Sequence, residues 1–168
     1  VGEATYAAGF GSARGLYQSA RAGLGMTPAA YRRGGRGARV RFATASTAAG
    51  ALLVAVTDRG VCAVSLGDDA AALERALRRE LPAAEVTRDD GGLAAWLSAI
   101  ARQVEGGPPA DVPLDLRGTA FQLRVWRALR DIPPGETRTY GALAAAAGDP
   151  RAARAVARAC AANRVAVV

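Results

Sequence analysis

In the C-terminal third of the chain, apolar positions recur at helical spacing and are punctuated by turn residues. Phe121, Val125 and Leu129 recur every four residues and mark one stripe of a helix predicted over residues 119–132. Thr119 is its N-cap, and Gln122, three positions on, completes a capping box. Pro133, Pro134 and Gly135 end it, because two consecutive rings remove donors and clash with a continuing helix. Thr139 caps a short helix over 140–147, and Gly148 and Asp149 turn the chain. Pro150 then takes the first position of a third helix, which reaches residue 162 and is ended by Asn163. Two short helices joined by a tight glycine-containing turn make a helix-turn-helix. On the third helix Arg151, Arg154 and Arg158 share one face, while Ala152, Val156 and Cys160 fill another. Residues 165–168 are apolar and β-prone, so a buried strand is expected there.

Upstream the period changes. Residues 40–46, 50–57 and 61–66 are β-prone runs, and Asp58-Arg59-Gly60 between the last two is a hairpin signal. Residues 70–80 form an amphipathic helix with Leu73 and Leu77 inward, and 93–104 another with Trp96, Leu97 and Ile100 inward. Gly106 to Pro109 is a loop before a strand expected around 112–116. Residues 1–34 read as helices at 3–8, 12–23 and 28–33, the last opened by Thr27-Pro28. Gly34-Gly35-Arg36-Gly37 is a flexible joint in a basic surround, suited equally to tracking phosphates and to serving as a plain hinge. The fold class expected is α/β plus all-α.

Composition narrows the chemistry. The 168 residues, 51% of them hydrophobic, suffice for one medium domain or two small ones. No apolar run is long enough to span a membrane. The net charge of +7 comes from 22 basic residues, every one an arginine, which points to a compositional bias of the source. Distribution says more than the total. Residues 1–42 hold seven Arg against one acid, 43–112 six against ten, and 113–168 nine against four. Two basic segments around an acidic one are what two DNA-contacting elements on a neutralising body would give. With no histidine and only Cys62 and Cys160, neither a Ser-His-Asp nor a Cys-His site can be built, nor an ordinary zinc site. Two distant cysteines suit reduced thiols in a cytosolic setting. Cys62, among apolar neighbours in a strand, reads as a packing residue. Asp58, Asp68 and Asp69 fit turn positions better than a metal site. The opening Val1 and the apolar run that closes the chain read as an internal piece of a longer protein.

The run RGTAFQLRVWRALRDIPPGETRTYGALAAAAGDPRAARAVARACAANRVAVV, residues 117–168, closely resembles the O6-alkylguanine-DNA alkyltransferases. That resemblance implies direct, stoichiometric transfer of an alkyl group from O6-alkylguanine, with O4-alkylthymine as a candidate second substrate, to a protein cysteine. In that family the next strand enters a Pro-Cys-His-Arg motif, so the nucleophile is expected just past Val168. It implies that Arg154 is the arginine finger filling the space left by an extruded nucleotide, and that Tyr140 presses on the target phosphate. Asn163 would brace the turn before the active-site strand, and Ala153 and Ala155 would let the helix approach a narrow minor groove. Residues 43–112 resemble the family's ribonuclease-H-like subdomain, and 113–168 its winged-helix-like DNA-binding subdomain. The run AAGFGSARGLYQSARAGLGMTPAAYRR resembles the second helix-turn-helix of AraC-type transcription regulators. Residues 1–34 would then be its C-terminal half, with Arg14 and Gln18 as operator contacts, and 35–42 a basic linker. Gly15 inside that recognition helix departs from good helix-forming sequence, costing about 1 kcal/mol.

Both resemblances in one chain match the Ada-type bifunctional regulators. Their layout implies alkylated and promoter double-stranded DNA as partners, RNA polymerase beyond them, and a bacterial, nucleoid-associated place in the cytoplasm. Such proteins also carry an upstream zinc-cysteine domain, for which this chain shows no residues; no cofactor is expected in the chain itself. Two other readings stay open: a lesion-binding protein without transfer, and a pure AraC-type regulator.

Overall fold

A computed structural model describes residues 34–35, 37–133 and 135–165. The helices expected over 1–33, with Arg14 and Gln18, and the strand expected over 165–168 beyond its first residue, lie outside the described residues. What is described falls into two compact units, divided after Arg117, with Val165 belonging to the first.

The first unit is built on a four-stranded sheet, with β1 (Arg39–Thr47), β2 (Gly50–Thr57), β3 (Gly60–Gly67) and β4 (Glu85–Arg88). The spatial order is β3-β2-β1-β4; β1, β2 and β3 form an antiparallel meander, and β4 joins β1 in parallel. A parallel return needs a crossover, and α1 (Ala70–Glu80) supplies it. Asp69 accepts from the N–H groups of Ala71 and Ala72, so it is a helix cap, as its turn position suggested. The other helix of this unit, α2 (Ala94–Val104), starts one residue later than expected, with Leu93 at its N-cap.

Helices on both faces explain why β2 is buried almost end to end. Leu52, Val54, Val56, Val61 and Val64 pack with Leu93, Ile100 and Val165, while Val40, Phe42, Leu53, Ala55 and Cys62 pack with Leu77 and Leu81. Each such fully buried aliphatic contributes roughly 1.5–3 kcal/mol. Cys62 is buried as expected, but the alternation around it is broken. Ala55 pairs with Ala63 and Val56 with Val61, so Cys62 is the extra residue of a β-bulge and shares its face with Ala63.

One expectation fails here. Residues 112–116 form no strand, only a lone parallel bridge from Val61 to Leu114. Pro113 has no N–H to give; its carbonyl accepts from Val61 and Asp115 donates back to Val61, which exhausts the pairing. Conversely, β4 carries the sequence Glu-Val-Thr-Arg, too short and polar to show alternation. The 112–116 segment is instead fixed by a buried ion pair. Asp115, with a fully buried side chain, receives the Thr57 hydroxyl at 2.6 Å and the Arg117 guanidinium at 3.0 Å. A Cβ at Gly60 would overlap the Pro113 carbonyl, so this close approach requires glycine.

The second unit, residues 118–164, is helical: α3 (Ala120–Arg130), α4 (Tyr140–Ala146) and α5 (Ala153–Ala161). Among the described residues no helix is long and apolar enough to cross a membrane.

Candidate nucleic-acid interface

The capping box on α3 forms as its residues dictate: Thr119 Oγ1 accepts from the Gln122 N–H, and Gln122 Oε1 accepts from the Thr119 N–H. The inward stripe is broader than the four-residue repeat suggested. Val125 and Trp126 are buried, whereas Phe121 and Leu129 are half-buried. Trp126 lies off the four-residue repeat, yet its indole N–H donates at 2.7 Å to the carbonyl of Ala159 on α5. A buried indole must find an acceptor, and this one fastens two helices together. A Cβ at Gly118 would come within 2.8 Å of the same ring.

Thr139 caps α4 by accepting from the Ala142 N–H. At the other end Gly148 takes φ +86°, Gly148 N–H donates to Ala145 O, and Asp149 N–H donates to Ala144 O. This is a Schellman closure, and the left-handed residue it needs is the glycine. The turn then departs from expectation. Pro150 is not the first residue of a helix; α5 starts at Ala153. Asp149 O accepts from Ala152 N–H, and Asp149 Oδ1 from Arg151 N–H, which makes residues 149–152 a β-turn. Asp at the first position and Pro at the second are what such a turn prefers, and that preference wins over Pro as a helix start. Arg151 therefore lies in the turn rather than on the helix.

Along α5, Val156 and Ala159 are buried. Cys160, expected on the buried face, is half-buried, and Ala159 holds that place. Arg154, Ala155 and Arg158 are exposed, as is Arg151 before them, and none of these arginines makes an ion pair among the described residues. Ala153 is half-buried, so of the two alanines flanking Arg154 only Ala155 lies open. Tyr140, at the first position of α4, is 52% exposed, far from a core placement. Asn163 is half-buried and its N–H closes the end of α5 on Cys160 O.

Arg154 sits in the first turn of α5. That end of the helix has no side-chain cap and no acidic residue in its first turn. Its free N–H groups and the positive end of the helix dipole already favour an anion, and a cation placed there opposes folding by about 0.3–1 kcal/mol. The unit as a whole holds eight Arg against three acids, net +5. What is missing for the helix is negative charge, and a phosphate backbone carries it.

Neither cysteine suits nucleophilic chemistry. Burial pushes the Cys62 thiol up to about 11, with Arg117 pulling down and Asp115 pushing further up. Burial raises the Cys160 thiol as well and lowers Arg164 from the usual guanidinium range. No group of three or more His, Cys, Asp or Glu among the described residues is placed to hold a metal ion.

Comparison with known proteins places this geometry in a lineage. Residues 120–168 match the family model "6-O-methylguanine DNA methyltransferase, DNA binding domain". The bifunctional transcriptional activator/DNA repair enzyme Ada of Escherichia coli is 46% identical over 162 residues, covering 96% of this chain and 46% of that protein. The chain thus spans about half the length of the curated relatives it matches. The crystal structure of Mycobacterium tuberculosis O6-methylguanine methyltransferase superposes with TM-score 0.60 at 32% identity, over 77% of this chain and 75% of that one. The same organism's OGT in complex with DNA matches at TM-score 0.60 and 32% identity, over 76% and 74%. The mixed α/β fold, the matched DNA-binding region and the shared sequence have one explanation: the chain belongs to the O6-methylguanine DNA methyltransferase family.

Proposed function

We propose that this chain serves the repair of O6-alkylguanine in DNA, contributing the surface that engages the duplex and extrudes the damaged nucleotide. The observation that carries the reading is Arg154: exposed, without an ion-pair partner among the described residues, and set against the dipole of an uncapped helix. Local strain of this kind is retained where a ligand relieves it. On this reading α5 enters the minor groove, the planar guanidinium of Arg154 stacks into the gap, and it donates to the orphaned partner base. Tyr140 presses on the target phosphate, Ala155 keeps the approach close, with Ala153 beside it, and Asn163 braces the turn before the active-site strand. The transfer itself is a displacement in which a thiolate sulfur bonds to the alkyl carbon as the carbon–O6 bond breaks. The electron pair goes to O6 and the guanine is restored on protonation. A stable thioether remains, so each acceptor reacts once. Neither Cys62 nor Cys160, both with raised thiols, is that acceptor.

The domain reading takes the same line. Residues 1–34 are half of an AraC-type helix-turn-helix with Arg14 and Gln18 on operator DNA, followed by a basic linker that is shorter than 35–42, because β1 begins at Arg39 and buries Val40 and Phe42. Residues 43–112 are a ribonuclease-H-like subdomain, supported by the meander, crossover helix and parallel fourth strand. The winged-helix-like DNA-binding subdomain is residues 118–164, narrower than 113–168, because residues 113–117 and Val165 belong to the sheet unit. The whole acts on alkylated and promoter DNA, with RNA polymerase downstream, in the bacterial cytoplasm at the nucleoid.

Arg154→Ala tests the reading. On duplexes carrying O6-methylguanine or plain guanine, the variant loses its preference for the lesion. The slope of log affinity against log salt falls by about 0.9, one phosphate's worth of released counterions, if Arg154 also neutralises backbone charge. Unchanged lesion preference in a folded variant sinks it. So does methyl transfer from labelled DNA to Cys62 or Cys160, as far as the acceptor is concerned.

A further inference from the structure

In the helical unit Arg124 is tied to the chain's own backbone. Its Nε donates at 2.8 Å to the carbonyl of Ala147, and its guanidinium lies 5.7 Å from the centre of the Phe121 ring. Ala147 is the C-cap of α4, the residue from which the turn into α5 departs. A helix C-terminus exposes carbonyls that a cation satisfies well, and the planar guanidinium can stack on Phe121 while it donates.

Past Ala147 the turn is closed by backbone bonds and by Asp149: the Schellman pair, then the turn closed on Asp149 O. The start of α5, and Arg154 with it, is therefore placed by whatever fixes Ala147. At the far end of α5, Trp126 fixes Ala159. Arg124 and Trp126 are two residues apart on α3, so one helix holds the turn-and-helix segment at both ends. We propose that Arg124 is a positioning residue for base extrusion: it sets the entry angle of α5 by clamping Ala147, and contacts no DNA phosphate. The inference rests on the role given to Arg154 above. A misplacement of about 1 Å in a positioned group can cost a hundredfold in function, so a clamp of one hydrogen bond matters there.

The test compares Arg124→Met with Arg124→Gln in the 168-residue chain, read on the same two duplexes. Methionine keeps the apolar contact with Phe121 and removes the donor; glutamine restores a donor without charge. The expected result is about a tenfold loss of lesion preference in Arg124→Met, the equivalent of one hydrogen bond. In Arg124→Gln the preference is largely retained, and in both variants the salt slope is unchanged. If both variants instead lower the slope by about 0.9 and lose preference alike, Arg124 is a phosphate contact and the proposal is overturned. Retained preference in Arg124→Met overturns it too. Should Arg154→Ala keep lesion preference while Arg124→Met loses it, the clamp acts on something other than Arg154, and the proposal falls with the parent reading. Thermal unfolding of each variant separates a loosened turn from a lost fold.

Discussion

The two units spend the same residue in opposite ways. In the sheet unit six arginines are matched to carboxylates, Arg39 with Glu85, Arg41 with Asp89, Arg75 with Asp69, Arg78 with Glu74, Arg88 with Asp90 and Arg117 with Asp115, while Arg79 and Arg102 have no such partner among the described residues. In the helical unit Arg138 pairs with Glu136, and Arg124 is bound to a backbone carbonyl. Arg151, Arg154 and Arg158 stand exposed along the turn and α5, with no carboxylate partner among the described residues. A bias toward arginine across the whole chain cannot produce that contrast, because it acts on both units alike. Pairing, rather than abundance, separates structural charge from functional charge.

The comparison is sharpest where pairing is buried. Asp115→Asn removes the charge opposite Arg117, whose side chain is 9% exposed, and should destabilise the sheet unit by about 3–5 kcal/mol in chemical denaturation. A change under about 1 kcal/mol would mean that the pair is ornamental and the contrast between the units empty. The helical unit should depend on apolar packing instead. Trp126→Ala removes a buried ring and its bond to Ala159, for a loss of about 3–5 kcal/mol. Hydrogen exchange should show that loss in α3 and α5 while β2 stays protected.

Alkaline titration gives a somewhat smaller effect. The folded state holds the Cys62 thiol neutral up to about 11, against an ordinary value of 9.0. Its contribution is therefore full below pH 9.0 and is lost as pH climbs to about 11, by roughly 2–3 kcal/mol. Stability of Cys62→Ala measured across that window should be flatter than that of the parent chain. The smallest effects test the charges directly. Arg75→Gln and Arg158→Gln should each change stability by less than about 0.5 kcal/mol. Only the second should lower the salt slope of DNA binding, by about 0.9.

Local chemistry was legible in the sequence, and long-range chemistry was not. The caps at Thr119 and Thr139, the Gly148 turn and the bounds of α1 are set by residues that touch their neighbours in sequence. So is the grouping of Arg154 with Arg158. At Pro150 two local rules compete, helix start and Asp-Pro turn, and the turn wins. β4 stayed hidden because a four-residue edge strand needs its partner β1 to exist at all. Trp126 and Arg124 stayed hidden for the same reason: each acts on a carbonyl more than twenty residues away, and a backbone carbonyl leaves no mark in a sequence.

The bulge at Cys62 bears on how this sheet could change over time. Ala55 faces Ala63 and Val56 faces Val61, so the ladder already runs continuously on either side of the intervening residue. A one-codon deletion of Cys62 would give unbroken pairing, with Val61 and Val64 still on one face and Ala63 on the other. Most single-residue deletions in a strand turn half of its side chains inside out. Here the strand carries a spare link, a place where the gene can shorten by one codon and leave every remaining side chain on its own face.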